Sequence, residues 1–281
     1  MDVDLQLRRA AQVLGAADAL LVTAGAGIGV DSGLPDFRGD KGFWKAYPVA
    51  AKLGLSFYDL ANPAWFHRGP GLAWAFYGHR LNLYRSTSPH RGFHILLELS
   101  ARKSCGHFVF TSNVDGQFQK AGFDENRIVE CHGSIHWFQC MQECSDLIWD
   151  AGVVELTVDE ESFRALPPLP GCPNCGGLAR PNILMFGDWQ WNSRRTDGQS
   201  TGLRLWLNGV SEKNARLAIV EVGAGRAVST VRNMSESIAA RFGATLVRIN
   251  PRDFDVPIKR HISIPLGALE GISRIAALMG E

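Results

Sequence analysis

Five short apolar runs punctuate the chain: Ala19-Leu-Leu-Val-Thr23, His107-Phe-Val-Phe-Thr111, Arg127-Ile-Val-Glu130, Leu217–Val222 and Thr245–Ile249. Runs so short and so continuously apolar fit strands covered on both faces, as in a parallel sheet. Between several of them the apolar residues recur with the helical period. Leu5, Leu7, Ala10, Ala11 and Leu14 share one face, and further helical patterns span 93–101, 228–242 and 266–279. Alternation of this kind predicts an α/β fold, a Rossmann-like parallel sheet with helices on both faces.

Two stretches break the alternation. Residues 40–91 are rich in aromatics and helix-like, with no buried-strand pattern. Residues 134–181 hold two close cysteine pairs, Cys140 with Cys144 and Cys172 with Cys175, with Pro167-Pro-Leu-Pro170 just before the second pair. The expectation is a two-lobed single domain over 1–281. Its Rossmann-like lobe is made of about 1–39, 92–133 and 182–281. A helical insertion (about 40–91) and a zinc-binding insertion (about 134–181) form the smaller lobe.

Composition narrows the class. Hydrophobic residues make up 46% and charged residues 20%, a globular balance. A net charge of +1 provides no field to gather nucleic acid or an anionic membrane, so neither is expected as a partner. Met1-Asp-Val-Asp4 lacks the features of a signal peptide, and the apolar stretch from Ala19 to Val30 is too short and glycine-rich to span a bilayer. A cytoplasmic protein is expected. In that reducing setting the close cysteine pairs read as metal ligands rather than disulfides. Cys105 and Cys131, each beside a short apolar run, read as small core or near-core residues.

The chemistry begins at Gly25-Ala26-Gly27-Ile28-Gly29, directly after the first apolar run. Glycines there permit a tight turn and close backbone approach to a pyrophosphate. The spacing is not G-x-G-x-x-G, because Val30 holds the last position. Such a turn also occurs without any ligand. The continuation, Val30-Asp31-Ser32-Gly33-Leu34-Pro35-Asp36-Phe37-Arg38, carries the reading further. The whole segment resembles the G-A-G-x-S-x-x-S-G-I-P-D-F-R loop of the sirtuin (Sir2) family of NAD-dependent protein deacylases. Other family motifs follow in order. Thr111-Ser112-Asn113-Val114-Asp115-Gly116 resembles T-Q-N-I-D-x, and Cys131-His132-Gly133-Ser134 resembles x-H-G-S. Arg180-Pro181 with Phe186-Gly187-Asp188 resembles R-P…F-G-E, Val222-Gly223-Ala224-Gly225 resembles V-G-T-S, and Ile249-Asn250 resembles I-N.

The resemblance implies a reaction. The acyl-lysine carbonyl oxygen attacks the ribose carbon of NAD as nicotinamide leaves. His132 takes a proton from a ribose hydroxyl, which then attacks the alkylimidate, giving lysine and O-acyl-ADP-ribose. A histidine suits proton cycling near neutral pH. Asp115 is implied to hold the nicotinamide carboxamide and Asn113 to place the ribose or a water. Gly25, Ala26, Gly27, Ile28, Ser112, Gly223, Ala224 and Asn250 are implied to contact the cofactor. Asp36, Phe37 and Arg38 are implied to close over it, with Phe37 shielding the sugar from water.

The cysteines suit a structural zinc. Cys172-Pro-Asn-Cys175-Gly-Gly is a zinc knuckle, while Cys140-Met-Gln-Glu-Cys144 has three intervening residues where the family has two. Four thiolates would fill a tetrahedral site and leave no open position.

Substrate signals lie in the helical insertion. Tyr77 and Arg80 are spaced to share a helix face. The pair resembles that of class III sirtuins, which remove succinyl, malonyl and glutaryl groups, as does Gly39-Asp-Lys-Gly42-Phe43-Trp44. An arginine and a tyrosyl hydroxyl converging on a carboxylate make strong directional bonds. The same spacing also fits a solvated arginine on a packing helix. Phe186 and Gly187 are implied to contact the acyl-lysine peptide.

Three departures thin the polar contacts to NAD: Ser112 for glutamine, Gly29 for serine, and Ala224-Gly225 for Thr-Ser. They leave room for an NAD glycohydrolase or ADP-ribosyltransferase on the same fold; a non-catalytic acyl-lysine binding module, with the zinc ribbon as its docking surface, is a second alternative, against which His132 argues.

Overall fold

The computed structural model describes residues 2–36, 43–45, 47–52, 54–152, 154–159 and 161–280. In chain order its strands are Ala19–Ala24 (β1), His107–Thr111 (β2), Ile128–Glu130 (β3), Gly133–Cys140 (β4), Ile148–Asp150 (β5), Val158–Asp159 (β6), Arg164–Ala165 (β7), Ala179–Ile183 (β8), Leu217–Val222 (β9), Thr245–Ile249 (β10) and Ile262–Ile264 (β11). Six of them form one sheet in the order β11-β10-β9-β1-β2-β3, and every pairing in it is parallel.

Alternation along these strands sorts side chains to two faces. Leu20, Val22, Val109, Val220, Val247 and Ile262 pack against helices Val3–Ala16, Arg91–Ala101 and Ala268–Leu278. Leu21, Phe108, Phe110, Ile219 and Leu246 point the other way, onto helices Arg194–Glu212 and Thr230–Phe242. The expected α/β sheet with helices on both faces is what the residues build. Cys105 and Cys131 are half-buried against the second of these cores.

Three details differ from the reading of the runs. Arg127 is not in a strand, because Glu125–Arg127 forms a 3-10 turn capped by Asp124. The helix Arg194–Glu212 showed no apolar stripe because its larger buried residues, Leu203, Trp206, Leu207 and Val210, sit in its second half. β11 is three residues long, too short for a pattern.

The smaller lobe joins the two insertions. Helices Pro48–Lys52, Phe57–Leu60, Ala64–Arg68 and Pro70–Ser86 come from the first. The antiparallel sheet β5-β4-β8 and the hairpin β6-β7 come from the second. Both contribute to one core, in which Phe43, Trp74, Phe76 and Tyr77 pack with Phe138, Met141, Leu156 and Phe163. Trp74 Nε1 donates to the Ala179 carbonyl of β8 at 3.1 Å, and its ring meets Phe138 edge-on at 5.1 Å. Among the described residues no helix is long and apolar enough to cross a membrane.

Candidate active site

β1 and β9 lie side by side, yet the chain leaves β1 toward β2 and leaves β9 toward β10, on the opposite side. Loops that diverge in this way open a crevice at the carboxyl ends of the strands. At its base the two loops touch backbone to backbone. Gly27 N donates to the Gly223 carbonyl and Gly25 N to the Val222 carbonyl, both at 3.0 Å. Gly223 has φ +65°, and a Cβ there would lie 2.3 Å from Ile28 N. A Cβ on Gly25 would lie 2.8 Å from Ala224 Cα. Side chains at these positions would force the loops apart, so the glycines are requirements of the contact.

Above this contact is a cavity of about 850 Å³. Its wall includes Gly25, Ala26, Gly27 and Asp36 from the loop after β1. Ser112, Asn113 and Asp115 follow β2, His132 follows β3, and Gly223 and Ala224 follow β9. Tyr77 and Arg80 enter from the helix Pro70–Ser86, and Phe186 and Gly187 from the segment after β8. Two expected contact residues stand off the wall. Ile28 is in the sheet core. Asn250 is fully buried, its Nδ2 donating to the Ala224 carbonyl at 2.9 Å and its Oδ1 accepting from Arg252 N and Asp253 N. Phe37 and Arg38 lie outside the described residues, as do Gly39-Asp-Lys-Gly42.

The polar residues are held from below. Thr111 Oγ1 donates to the Ala24 carbonyl and accepts from Asn113 N, each at 3.0 Å, tying the β2 loop to β1. Asn113 Nδ2 donates to the Gly25 carbonyl at 3.3 Å. Asp115 Oδ1 accepts from Gln117 N at 3.0 Å, and burial above all pushes its carboxyl up to about 6. Arg80 opposes that rise with its positive charge, while Glu130 adds to it. His132 is half-buried, and desolvation lowers its pKa below the ordinary value, which favours the neutral imidazole. Among the described residues its ring makes no hydrogen bond. The chain turns sharply after it: Gly133 has φ +75°, and a Cβ there would fall 2.0 Å from the Asn182 carbonyl oxygen.

Across the cavity, Arg180 and Asp188 form a fully buried bidentate pair that closes the segment 183–188. Asp188 also accepts from Met185 N. Phe186 rests on Tyr58 with ring centroids 4.3 Å apart. Tyr77 is fully buried, and among the described residues its hydroxyl has no hydrogen-bond partner. Arg80, 6% exposed, lies over Phe76, Tyr77 and Tyr84, with its Nε donating to the Tyr84 hydroxyl at 3.0 Å.

The four cysteines converge as expected. Sγ–Sγ distances are 3.6 Å for Cys140–Cys175 and for Cys144–Cys172, and all four sulfurs lie within 4.8 Å of one another. Zinc–thiolate bonds of about 2.3 Å place tetrahedral sulfurs roughly 3.8 Å apart, so the cluster fits zinc. The longer first spacing is absorbed by Glu143, whose φ of 49° folds the turn back.

Several wall residues were not foreseen: Leu34, Tyr58, Tyr84, Trp189, Arg226 and Asp253. Tyr84 had a signal, since it stands one turn beyond Arg80 on the same helix face. Tyr58 comes from the one-turn helix Phe57–Leu60, and the others reach the cavity through loop geometry, none of which periodicity reports.

The Sir2 family profile matches residues 25–197 of this chain. The NAD-dependent protein deacylase of Aeropyrum pernix is 28% identical over 270 residues, covering 96% of each chain. That of Leptospira interrogans is 32% identical over 231 residues, covering 81% of this chain and 79% of its own. Among solved structures, a Sir2 homologue in complex with ADP-ribose superposes with a TM-score of 0.70 at 24% identity, over 100% of this chain and 97% of that one. A Sir2 protein bound to acetylated peptide gives 0.66 at 21%, over 96% of both. The ordered motifs, the sheet with its crevice and the extent of these matches lead to one assignment: the chain belongs to the Sir2 family.

Proposed function

We propose that this chain is an NAD-dependent protein lysine deacylase, which passes the acyl group from lysine to ADP-ribose and releases nicotinamide. The observation that carries the proposal is the convergence of His132, Asn113 and Asp115 on one cavity above the Gly25–Gly223 contact. Curated relatives across the family carry the name NAD-dependent protein deacylase. In this reading NAD occupies the crevice, with its phosphates against the exposed backbone of Gly25–Gly27 and Gly223–Ala224. Asn250 acts through Ala224, which it braces. Asp115 orients the nicotinamide carboxamide and Asn113 the ribose. His132, kept neutral by burial, accepts a proton from a ribose hydroxyl. Asp36, Phe37 and Arg38 cover the reacting sugar, and Phe186 and Gly187 flank the incoming peptide.

Acidic acyl groups are the favoured substrates in this proposal. Tyr77 presents a buried hydroxyl at the cavity wall without a partner among the described residues, and Arg80 is beside it. A buried unpaired hydroxyl is costly unless a ligand completes it, and a carboxylate does so strongly beside a guanidinium. Zinc held by Cys140, Cys144, Cys172 and Cys175 supports the fold and has no open position for chemistry. Thiols kept for a metal suit a reducing compartment, so the protein is placed in the cytoplasm. The lobes are assigned as about 1–39, 92–133 and 182–281 for the NAD side, with 40–91 and 134–181 for the acyl side.

Nicotinamide release tests the reading. Wild type should release it only when an acyl-lysine peptide is present, and His132→Ala should lose that release. Release without peptide would make the chain a glycohydrolase or ADP-ribosyltransferase. No release in either protein would make it a binding module.

A further inference from the structure

Tyr77, Arg80 and Tyr84 follow one another at intervals of three and four residues along the helix Pro70–Ser86, and all three line the cavity. Tyr84 is 4% exposed. Its hydroxyl oxygen accepts the Arg80 Nε–H at 3.0 Å, which fixes one edge of the guanidinium. The faces of Phe76 and Tyr84, 5.2 and 5.4 Å from Arg80 Cζ, fix its plane. A planar fork recognises a carboxylate only if its orientation is set beforehand, and a mobile arginine would lose that advantage.

The Tyr84 hydroxyl also has a donor to give. Accepting from Nε uses a lone pair and leaves the O–H proton, for which no acceptor is found among the described residues. Burial raises the Tyr84 pKa, so the proton is present at neutral pH. Tyr77, two turns back, likewise has a protonated hydroxyl without a partner among the described residues. Two phenol donors therefore flank one guanidinium on the cavity wall.

We infer that Tyr84 is a positioning and specificity-determining residue: it clamps Arg80 through Nε and offers its own proton to the carboxylate of a dicarboxylic acyl group. This inference rests on the acidic-acyl reading of the same site. The carboxylate is then seated by Tyr77, Arg80 and Tyr84 together, whereas a neutral acyl group leaves both phenols unsatisfied. Selectivity comes from that penalty as much as from the attraction.

A double-mutant cycle tests it. kcat and KM are measured on succinyl-lysine and acetyl-lysine peptides for wild type, Tyr84→Phe, Arg80→Met and the double variant. Phenylalanine keeps the ring packing, and thermal melts check that each variant is folded. The succinyl-to-acetyl ratio of kcat/KM should fall about tenfold in Tyr84→Phe, the scale of one hydrogen bond to a charged group. The loss should appear mainly in the succinyl KM. In the Arg80→Met background the same change should have a smaller effect than in wild type, because the clamp has nothing left to hold and only the donated proton remains to be lost. A ratio within twofold of wild type in Tyr84→Phe, with Arg80→Met lowering it, overturns the inference and leaves the acidic-acyl reading standing. A full tenfold effect persisting in the Arg80→Met background overturns the clamp. A wild type that prefers acetyl, with a ratio insensitive to Arg80→Met, removes the acidic-acyl reading and this inference with it.

Discussion

Asp115 works against the fold that holds it. Its carboxyl is raised from 3.8 to about 6, first by burial. Between those values the folded chain binds the proton more tightly than the unfolded chain, so stability falls as pH rises through that window. Above it the ionised group costs about 3 kcal/mol, taken as an upper value at about 1.4 kcal/mol per unit. Asparagine keeps the shape and can still accept from Gln117 N. Asp115→Asn is therefore expected to melt at a higher temperature than wild type at pH 7.5, and to lose the decline between pH 4 and 6. Nicotinamide release should collapse in the same variant. Melting curves across pH decide it, and a variant no more stable than wild type at pH 7.5 would sink the account. Local strain of this kind is common where function sets the residue.

At the level of elements, the close contact between the loops after β1 and β9 leaves no room for a side chain. Gly223→Ala adds a Cβ 2.3 Å from backbone at a positive φ. It should cost more than about 2 kcal/mol in denaturant unfolding and weaken NAD binding. Gly198→Ala is the contrasting case: it lies in the helix Arg194–Glu212, where a Cβ would meet no atom of the described residues within 4 Å beyond its own helix backbone, and should stabilise by about 0.5–1 kcal/mol. These elements also show how far the residues alone can be read. The runs at Leu217–Val222 and Thr245–Ile249 coincide with β9 and β10, because strands buried on both faces leave an unbroken apolar signature. Gly25, Gly223 and His132 were legible from ordered motifs. Asn250 and Ile28 were legible as part of the motifs but not as buried supports, since a motif records identity and not orientation. Tyr58, Trp189 and Asp253 were not legible at all, because a one-turn helix and two separate loops bring them to the wall.

On the scale of the whole molecule, the four-cysteine cluster secures the sheet β5-β4-β8, and that sheet backs the helix carrying Tyr77, Arg80 and Tyr84. Elemental analysis should find about one zinc per chain. Stripping it with a strong chelator should lower the melting temperature and raise the KM for acyl peptide, with the parallel sheet the last part to unfold. Unchanged melting after removal of the metal would refute a structural role. The core shared by the two insertions has a consequence for how such a protein can change. Phe138 and Trp74 stand more than sixty residues apart in the sequence, yet each fills the space the other leaves. A graft replacing only the helical insertion, or only the zinc ribbon, would leave half of an interior facing a stranger. The two segments can be exchanged with a relative only as a matched set, so lineages altering acyl choice must carry both halves forward together.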